Sequence, residues 1–244
     1  MNNSTFTQSV TDKIDEQICG ILQGLYCQTG EIWFGSRSAN GKDRKFCERY
    51  NSCCISLVIG ARSSFALTMT AKGNTAFLSG PIIDTDEFTF KEFINDPAHA
   101  QIKIIRLNST GGRVNAARSM GRLIRSKNLT TFIDAKTDNC ASACTLLFGA
   151  GVNRHYVNAH TIKDGVFGFK EVTTGLGYHE GNEPLSRDAN RYSGQATANM
   201  IAAYYEFGVS KAKDLITLAP PNKLYRVSSQ TALQLGLATS LSPP

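Results

Sequence analysis

The chain has 244 residues, 41% of them apolar, and carries 26 Lys and Arg against 20 Asp and Glu for a net charge of +6. That composition supports an ordinary buried core and excludes wholesale disorder. The basic cluster Arg37, Lys42, Arg44, Lys45 and Arg49 is offset by Asp43 and Glu48, so it reads as a solvated face and no nucleic-acid partner is expected.

Val10, Ile14, Ile18, Ile21 and Leu25 recur at helical spacing, which predicts an amphipathic helix over residues 10–26 with Ser9 or Thr11 as its cap. Asp12, Asp15 and Glu16 stand where a signal peptide carries positive charge, and Gln23 breaks the apolar run. On that ground a cytoplasmic protein is expected. No run of about 18 apolar residues occurs, so no integral membrane segment is expected. Seven cysteines, an odd number, do not make a disulfide framework, and five of them fall within the first 54 residues. Residues 28–54 show no period. The reading is therefore an N-terminal Cys-rich extension over 1–60 and one domain over 61–244.

From residue 55 short β-rich runs appear: "ISLVI", "FALTMT" and "NTAFLSG". A helical stretch over 85–94 ends at Asp96-Pro97. "IKIIRL" (102–107) reads as a buried strand, "NSTGG" as a turn, and a helix starts at Val114 with Val114, Ala117, Gly121 and Ile124 on one face. "LTTFID" is another strand, and "NCASACTLLFGAG" (139–151) opens another helix. Strand, glycine turn, helix, strand, helix predicts βαβ units and a mostly parallel sheet. Ala196, Met200, Ala203 and Phe207 share a face of a later helix closed by Gly208. "SSQTALQLGLAT" reads as a capped short helix ended by Gly236.

Two stretches bear chemistry. Gly111 and Gly112 follow a strand and precede a helix, where bare backbone amides can receive an anion or a developing oxyanion. The pattern is neither GxGxxG nor a P-loop, and taken alone it reads first as a plain strand-to-helix turn. In the second stretch Ser142 sits between Ala141 and Ala143 at a helix start. That is the place of a nucleophile whose following amide serves as oxyanion donor, or of a simple capping serine.

The two motifs together, "NSTGG" and "CASACTLLFGAG" about 30 residues later, resemble the Clp protease/crotonase superfamily, closest to bacterial ClpP-like proteins predicted to be periplasmic. Gly149, Ala150, Gly151 and Arg154 match that family's small-residue "aGxxR" segment, "GNTAFLSGPI" (73–82) its opening hairpin and "TALQLGLAT" its closing helix. The resemblance spans about residues 64–240. It implies an α/β fold of repeated ββα units with a mostly parallel sheet, homo-oligomerisation, no cofactor and a peptide or protein substrate, and it leaves a periplasmic location open. It places Ser142 on the nucleophile, and Gly112 and Ala143 on the oxyanion-hole donors, with Gly111 supporting the turn.

The chain departs from the family at the base. A histidine is expected about 25 residues after the serine, and the matching segment "GVFGFK" holds Lys170 there. The Asp before the last helix also has no match; "PPNKLYRVSSQ" offers Asn222 nearby. A Ser142–Lys170 dyad, with the lysine desolvated against Phe167 and Phe169, competes with a degenerate enzyme that has lost its base. His160 and His179, both read as exposed loop residues, are alternative bases. Cys140, Cys144, His155 and His160 fall near zinc-finger spacing but lack a charged recognition helix between them, so no metal is expected. Cys140 and Cys144 are either a short disulfide or two small buried residues packing the turn. Three functions stay open: a ClpP-like serine peptidase, a non-catalytic binding or assembly module, and a crotonase-type acyl-CoA enzyme. The last has no catalytic carboxylate near either turn.

Overall fold

The computed structural model describes residues 66–182 and 191–244. The predicted helix over 10–26, the "ISLVI" strand and the Cys-rich extension over 1–60 lie outside the described residues.

The chain enters a hairpin. Strands β1 (Thr68–Lys72) and β2 (Thr75–Ser79) pair antiparallel in the register Met69 with Leu78, and Gly73 turns the corner at φ 58°. Helix α1 (Asp86–Asn95) follows and ends at Asp96, whose carboxylate accepts from the Ala98 amide beside Pro97. β3 (Ile104–Asn108), α2 (Val114–Ser126) and β4 (Thr130–Asp134) form a strand–helix–strand unit, and β6 (Arg154–Val157) joins the same sheet beside β4. The first sheet has the order β1-β2-β3-β4-β6, and every pairing beyond the hairpin is parallel. The expected mixed α/β architecture with a mostly parallel sheet is thus the observed one.

Periodicity explains α2. Ala116, Ala117, Met120, Gly121 and Ile124 are buried at the i, i+4 and i+8 spacing of one helical face. A Cβ on Gly121 would stand 2.6 Å from the Phe207 ring and 3.2 Å from Ala150 Cβ, so the absent side chain lets the neighbouring helices close in. No helix among the described residues is long and apolar enough to cross a membrane.

A second sheet has the order β5-β8-β9-β7, built from β5 (Asn139–Ala141), β7 (Gly165–Gly168), β8 (Gly175–Tyr178) and β9 (Lys223–Arg226). β5 and β8 run parallel, while β8 with β9 and β9 with β7 run antiparallel. Here the structure corrects the sequence reading of "NCASACTLLFGAG" as helix from its start. Its first three residues are a strand, and helix α3 (Cys144–Ala150) begins only after Ala143. The residues are small and weakly committed; partners on both edges decide for strand.

The remaining helices are α4 (Gly194–Glu206), α5 (Ala212–Ile216) and α6 (Ser229–Gln234). Ser193 caps α4 by accepting from the Ala196 amide, and Met200, Ala203 and Tyr204 face the core. Ser228 caps α6, and Asp164 accepts from the Ser228 amide, the Ser228 hydroxyl and the Thr231 hydroxyl. Gly208 and Gly236 follow α4 and α6 at φ 71° and 68°, as left-handed stops. Arg154 is buried, and its guanidinium donates to the carbonyls of Gly151, Gly236 and Leu237, tying β6 to the end of the domain.

Candidate active site

β5 is held on both edges. On one side the turn after β3 grips it: Ser109 N–H donates to Asn139 O at 2.6 Å, Ala141 N–H to Ser109 O at 3.1 Å, and Asn139 N–H to Asn108 Oδ1 at 3.1 Å. On the other side β8 pairs with it, and Ser142 N–H donates to Gly177 O at 2.8 Å. The chain must then turn sharply into α3, and it does so at Ser142, which adopts φ 54°. Left-handed backbone is uncommon for a non-glycine residue, and such outliers persist only where the surroundings fix them. Strand, left-handed serine, helix is an elbow that lifts the side chain clear of its neighbours.

The elbow is also pinned from beneath. Thr145 Oγ1 donates to Ser142 O at 2.5 Å, which leaves it to accept from Tyr204 OH at 2.6 Å. Both residues are buried, and burial pushes the Tyr204 hydroxyl far above its ordinary range, with the Thr145 hydrogen bond opposing, so it stays a protonated donor. Cys140 and Cys144 straddle the serine and are joined by a disulfide, with Cα atoms 5.2 Å apart and neither cysteine exposed. Of the two readings left open by the sequence, the disulfide is the one observed. His155 Nδ1 meets Ser242 O at 2.7 Å.

The glycine turn lies directly against this elbow. Gly111 has φ 90°, and its N–H donates to Ser109 Oγ at 3.1 Å. A Cβ on Gly111 would meet Ala141 O at 2.5 Å, Ser142 Cβ at 2.7 Å and Ala143 N at 2.9 Å. Gly112, at φ 143°, bridges to Ile82: Ile82 N–H donates to Gly111 O and Arg113 N–H donates to Ile82 O. Because alternate groups of an extended segment point to opposite sides, the Gly112 amide faces away from Ile82. Among the described residues neither the Gly112 nor the Ala143 amide has a hydrogen-bond acceptor. Gly112 and Ser142 both line one open cavity of about 450 Å³ between α2 and α4.

The structure redraws the candidate bases. Lys170 follows β7, at the far edge of the second sheet, with β8 and β9 between it and β5, and it is exposed. The strand beside β5 is β8, so the sequence match of "GVFGFK" to the strand after the serine is corrected. β7 and the turn behind it intervene before the chain returns to pair with β5. The residue at the end of β8 is His179, and it is not an exposed loop residue. "GLGY" is wholly buried strand and His179 itself is only 4% exposed. His160, by contrast, is exposed in a 3-10 turn (Ala159–Thr161) after β6.

His179 Nδ1 lies 2.5 Å from Glu180 O. A carbonyl can only accept, so Nδ1 carries the proton and a neutral ring presents its Nε2 lone pair. Burial lowers the imidazole pKa below its ordinary value, against the opposing pull of the Glu180 carbonyl. The Phe169 ring stands edge-on at 6.0 Å. Among the described residues no carboxylate bonds to His179, and neither Ser142 Oγ nor His179 Nε2 has a hydrogen-bond partner. Asn222 lies in the turn before β9.

Sequence reasoning missed the Thr145–Tyr204 hydroxyl pair, whose residues stand 59 positions apart. It also missed Arg226, wholly buried in β9, which donates to Asn139 Oδ1 at the head of β5, Gly175 O and Val172 O. An arginine in "KLYRV" does alternate in phase with the apolar Leu224, and that phase was the available signal.

The fold and the elbow together define an α/β protein with a serine raised on a strand-to-helix turn against a bare glycine amide. No protein-family model and no curated protein matches the chain. Among solved structures it is similar to a membrane-bound stomatin-specific protease in a serine-to-alanine mutant, with 15% identity and a TM-score of 0.47 over 71% of this chain and 81% of that one. It is similar to a lysine-to-alanine mutant of that stomatin-specific protease in complex with a substrate peptide, with 16% identity and a TM-score of 0.47 over 71% and 77%. It is also similar to the catalytic domain of the ClpP protease from Plasmodium falciparum, with 13% identity and a TM-score of 0.44 over 69% and 85%.

Proposed function

We propose that the chain is a ClpP-like serine hydrolase that cleaves peptide bonds, with Ser142 as nucleophile and His179 as general base. The observation that carries this reading is the elbow: a left-handed serine beside two amides without acceptors. Ser142 Oγ attacks the scissile carbonyl while His179 Nε2 takes its proton. The carbonyl oxygen becomes an oxyanion and is held by the Gly112 and Ala143 amides. The imidazolium returns the proton to the leaving amine as the C–N bond breaks. Water, deprotonated by the same ring, then releases the acyl group from Ser142. Glu180 O holds the ring in the required tautomer, a task given elsewhere to a carboxylate. Self-assembly into a homo-oligomer belongs to this reading, as does the separation of residues 1–60 from the domain over 61–244.

A second reading, a non-catalytic binding or assembly module, is favoured by one observation: among the described residues the ring has no carboxylate partner and no hydrogen bond to Ser142. Unliganded sites are often looser than working ones, which leaves the first reading preferred. Hydrolysis of a fluorogenic peptide library by the wild type, abolished in Ser142→Ala, is the expected result. Binding of peptides with no turnover in either protein favours the second.

A further inference from the structure

Carboxamides form part of the wall of the cavity beside Ser142, alongside the apolar Ile82, Val114, Ala196 and Met200. Asn115 comes from the first turn of α2, and Gln195 and Asn199 come from α4. They form a chain: Gln195 Nε2 donates to Asn199 Oδ1 at 3.0 Å, and Asn199 Nδ2 donates to Asn115 Oδ1 at 3.3 Å. Each carboxamide carries an NH₂ donor and a carbonyl acceptor. Among the described residues the two bonds leave the Asn115 NH₂ at one end and the Gln195 carbonyl at the other wholly unpaired, with a second N–H remaining on Gln195 and on Asn199. Two ionic side chains line the cavity, Arg113 and Asp84, and they face each other at 3.1 Å. Among the described lining residues no unpaired charge is left to draw an ionic side chain.

We infer that this cavity selects a neutral carboxamide side chain, Gln or Asn, next to the scissile bond. The inference rests on the peptidase reading and names the substrate class for that site. A carboxamide answers the free NH₂ with its carbonyl and the free carbonyl with its NH₂. A leucine of similar size could meet the apolar part of the wall but would strip water from both carboxamide ends without returning a hydrogen bond, and such unpaired polar groups discriminate against an analogue that lacks them. A lysine or glutamate would bring a charge into a cavity whose charges, among the described residues, are already paired.

The test separates binding from catalysis. Fluorescein-labelled hexapeptides differing at one central residue (Gln, Asn, Leu, Lys or Glu) are titrated into full-length Ser142→Ala, and Kd is read by polarisation. Gln or Asn peptides are expected to bind about tenfold more tightly than the Leu peptide, equivalent to about 1.4 kcal/mol. Adding Asn199→Leu, or Gln195→Leu as a second variant, should remove that preference while melting temperature is held. Equal or tighter binding of the Leu or a charged peptide, or no binding of any peptide, overturns the inference. Hydrolysis by the wild type is scored separately. Turnover with a Leu preference sinks the inference and leaves the peptidase, whereas a Gln preference in binding without wild-type turnover sinks the peptidase and leaves the pocket.

Discussion

Gly111 lies so close beneath Ser142 that a Cβ built on the glycine would stand 2.7 Å from the serine Cβ. The same atom would stand 2.5 Å from the Ala141 carbonyl oxygen, on a backbone at φ 90°. Steric conflict with backbone on both sides of the serine cannot be relieved by rotating a side chain. Gly111→Ala is therefore expected to lower stability by more than about 2 kcal/mol and activity by at least tenfold. Gly73→Ala is the control: φ is 58° but nothing lies within 4 Å, so only the conformational cost of about 1 kcal/mol applies. Denaturant unfolding of the two variants separates the effects.

His179 gives the pH dependence. Burial holds its folded pKa below 6.5, so the ring is neutral and basic at neutral pH. The rate should rise with pH along an acid limb centred below 6.5 and be level from there to neutrality. Stability follows the same group. The unfolded state binds the proton more readily than the folded one, so stability falls as pH drops from 6.5 through the folded pKa, and is flat again below it. His179→Gln should lose about 10²- to 10⁴-fold in kcat/KM and lose this contribution to the acid sensitivity of unfolding. Lys170→Ala should change neither.

The Cys140–Cys144 disulfide ties the last strand residues before the elbow to the first helix residue after it. Closing so short a loop contributes about 2 kcal/mol in the chain-entropy model. The double variant Cys140→Ala, Cys144→Ala should lose that amount in equilibrium unfolding. Both cysteines are fully buried, so native wild type should resist a thiol reductant and become alkylated at these positions only as it unfolds. Rapid alkylation of the folded protein would contradict the burial.

Arg226 is a buried cation without a carboxylate partner among the described residues. Burial pulls its guanidinium down to about 10, with the Tyr156 hydroxyl opposing, so it remains charged at neutral pH. Its fork joins Asn139, Gly175 and Val172, and thereby β5, β8 and the loop before β8. Arg226→Lys keeps the charge and loses the fork, and Arg226→Met leaves the buried Gly175 carbonyl and the half-buried Val172 carbonyl without this donor. Each should cost about 3 kcal/mol, read as a lower denaturant midpoint, and each should reduce labelling at Ser142 through a displaced β5.

Much of this arrangement is legible in the residues. The spacing of Ala117, Gly121 and Ile124 specifies a helix face, the apolar run of "IKIIRL" a buried strand, and the pairing of Gly111-Gly112 with Ser142 the two turns that meet. What escapes is what depends on insertion length and on partners far along the chain. Lys170 stands at the expected distance from Ser142, but it follows β7, which pairs with β9 at the sheet edge, and only strand order shows that His179 directly follows the neighbour of β5. β5 itself owes its extended form to Ser109 and Gly177, both remote in sequence. Thr145 and Tyr204 meet because α3 and α4 pack, which neither local pattern contains.

The central claim is that Ser142 is a nucleophile activated by His179. The most direct measurement is the rate and site of covalent modification by a fluorophosphonate, mapped by peptide mass spectrometry. The adduct should fall on Ser142 in the wild type, form at least 10²-fold more slowly in His179→Gln, and form at an unchanged rate in Lys170→Ala. No adduct on Ser142, or an equal rate in the wild type and His179→Gln, would contradict the claim.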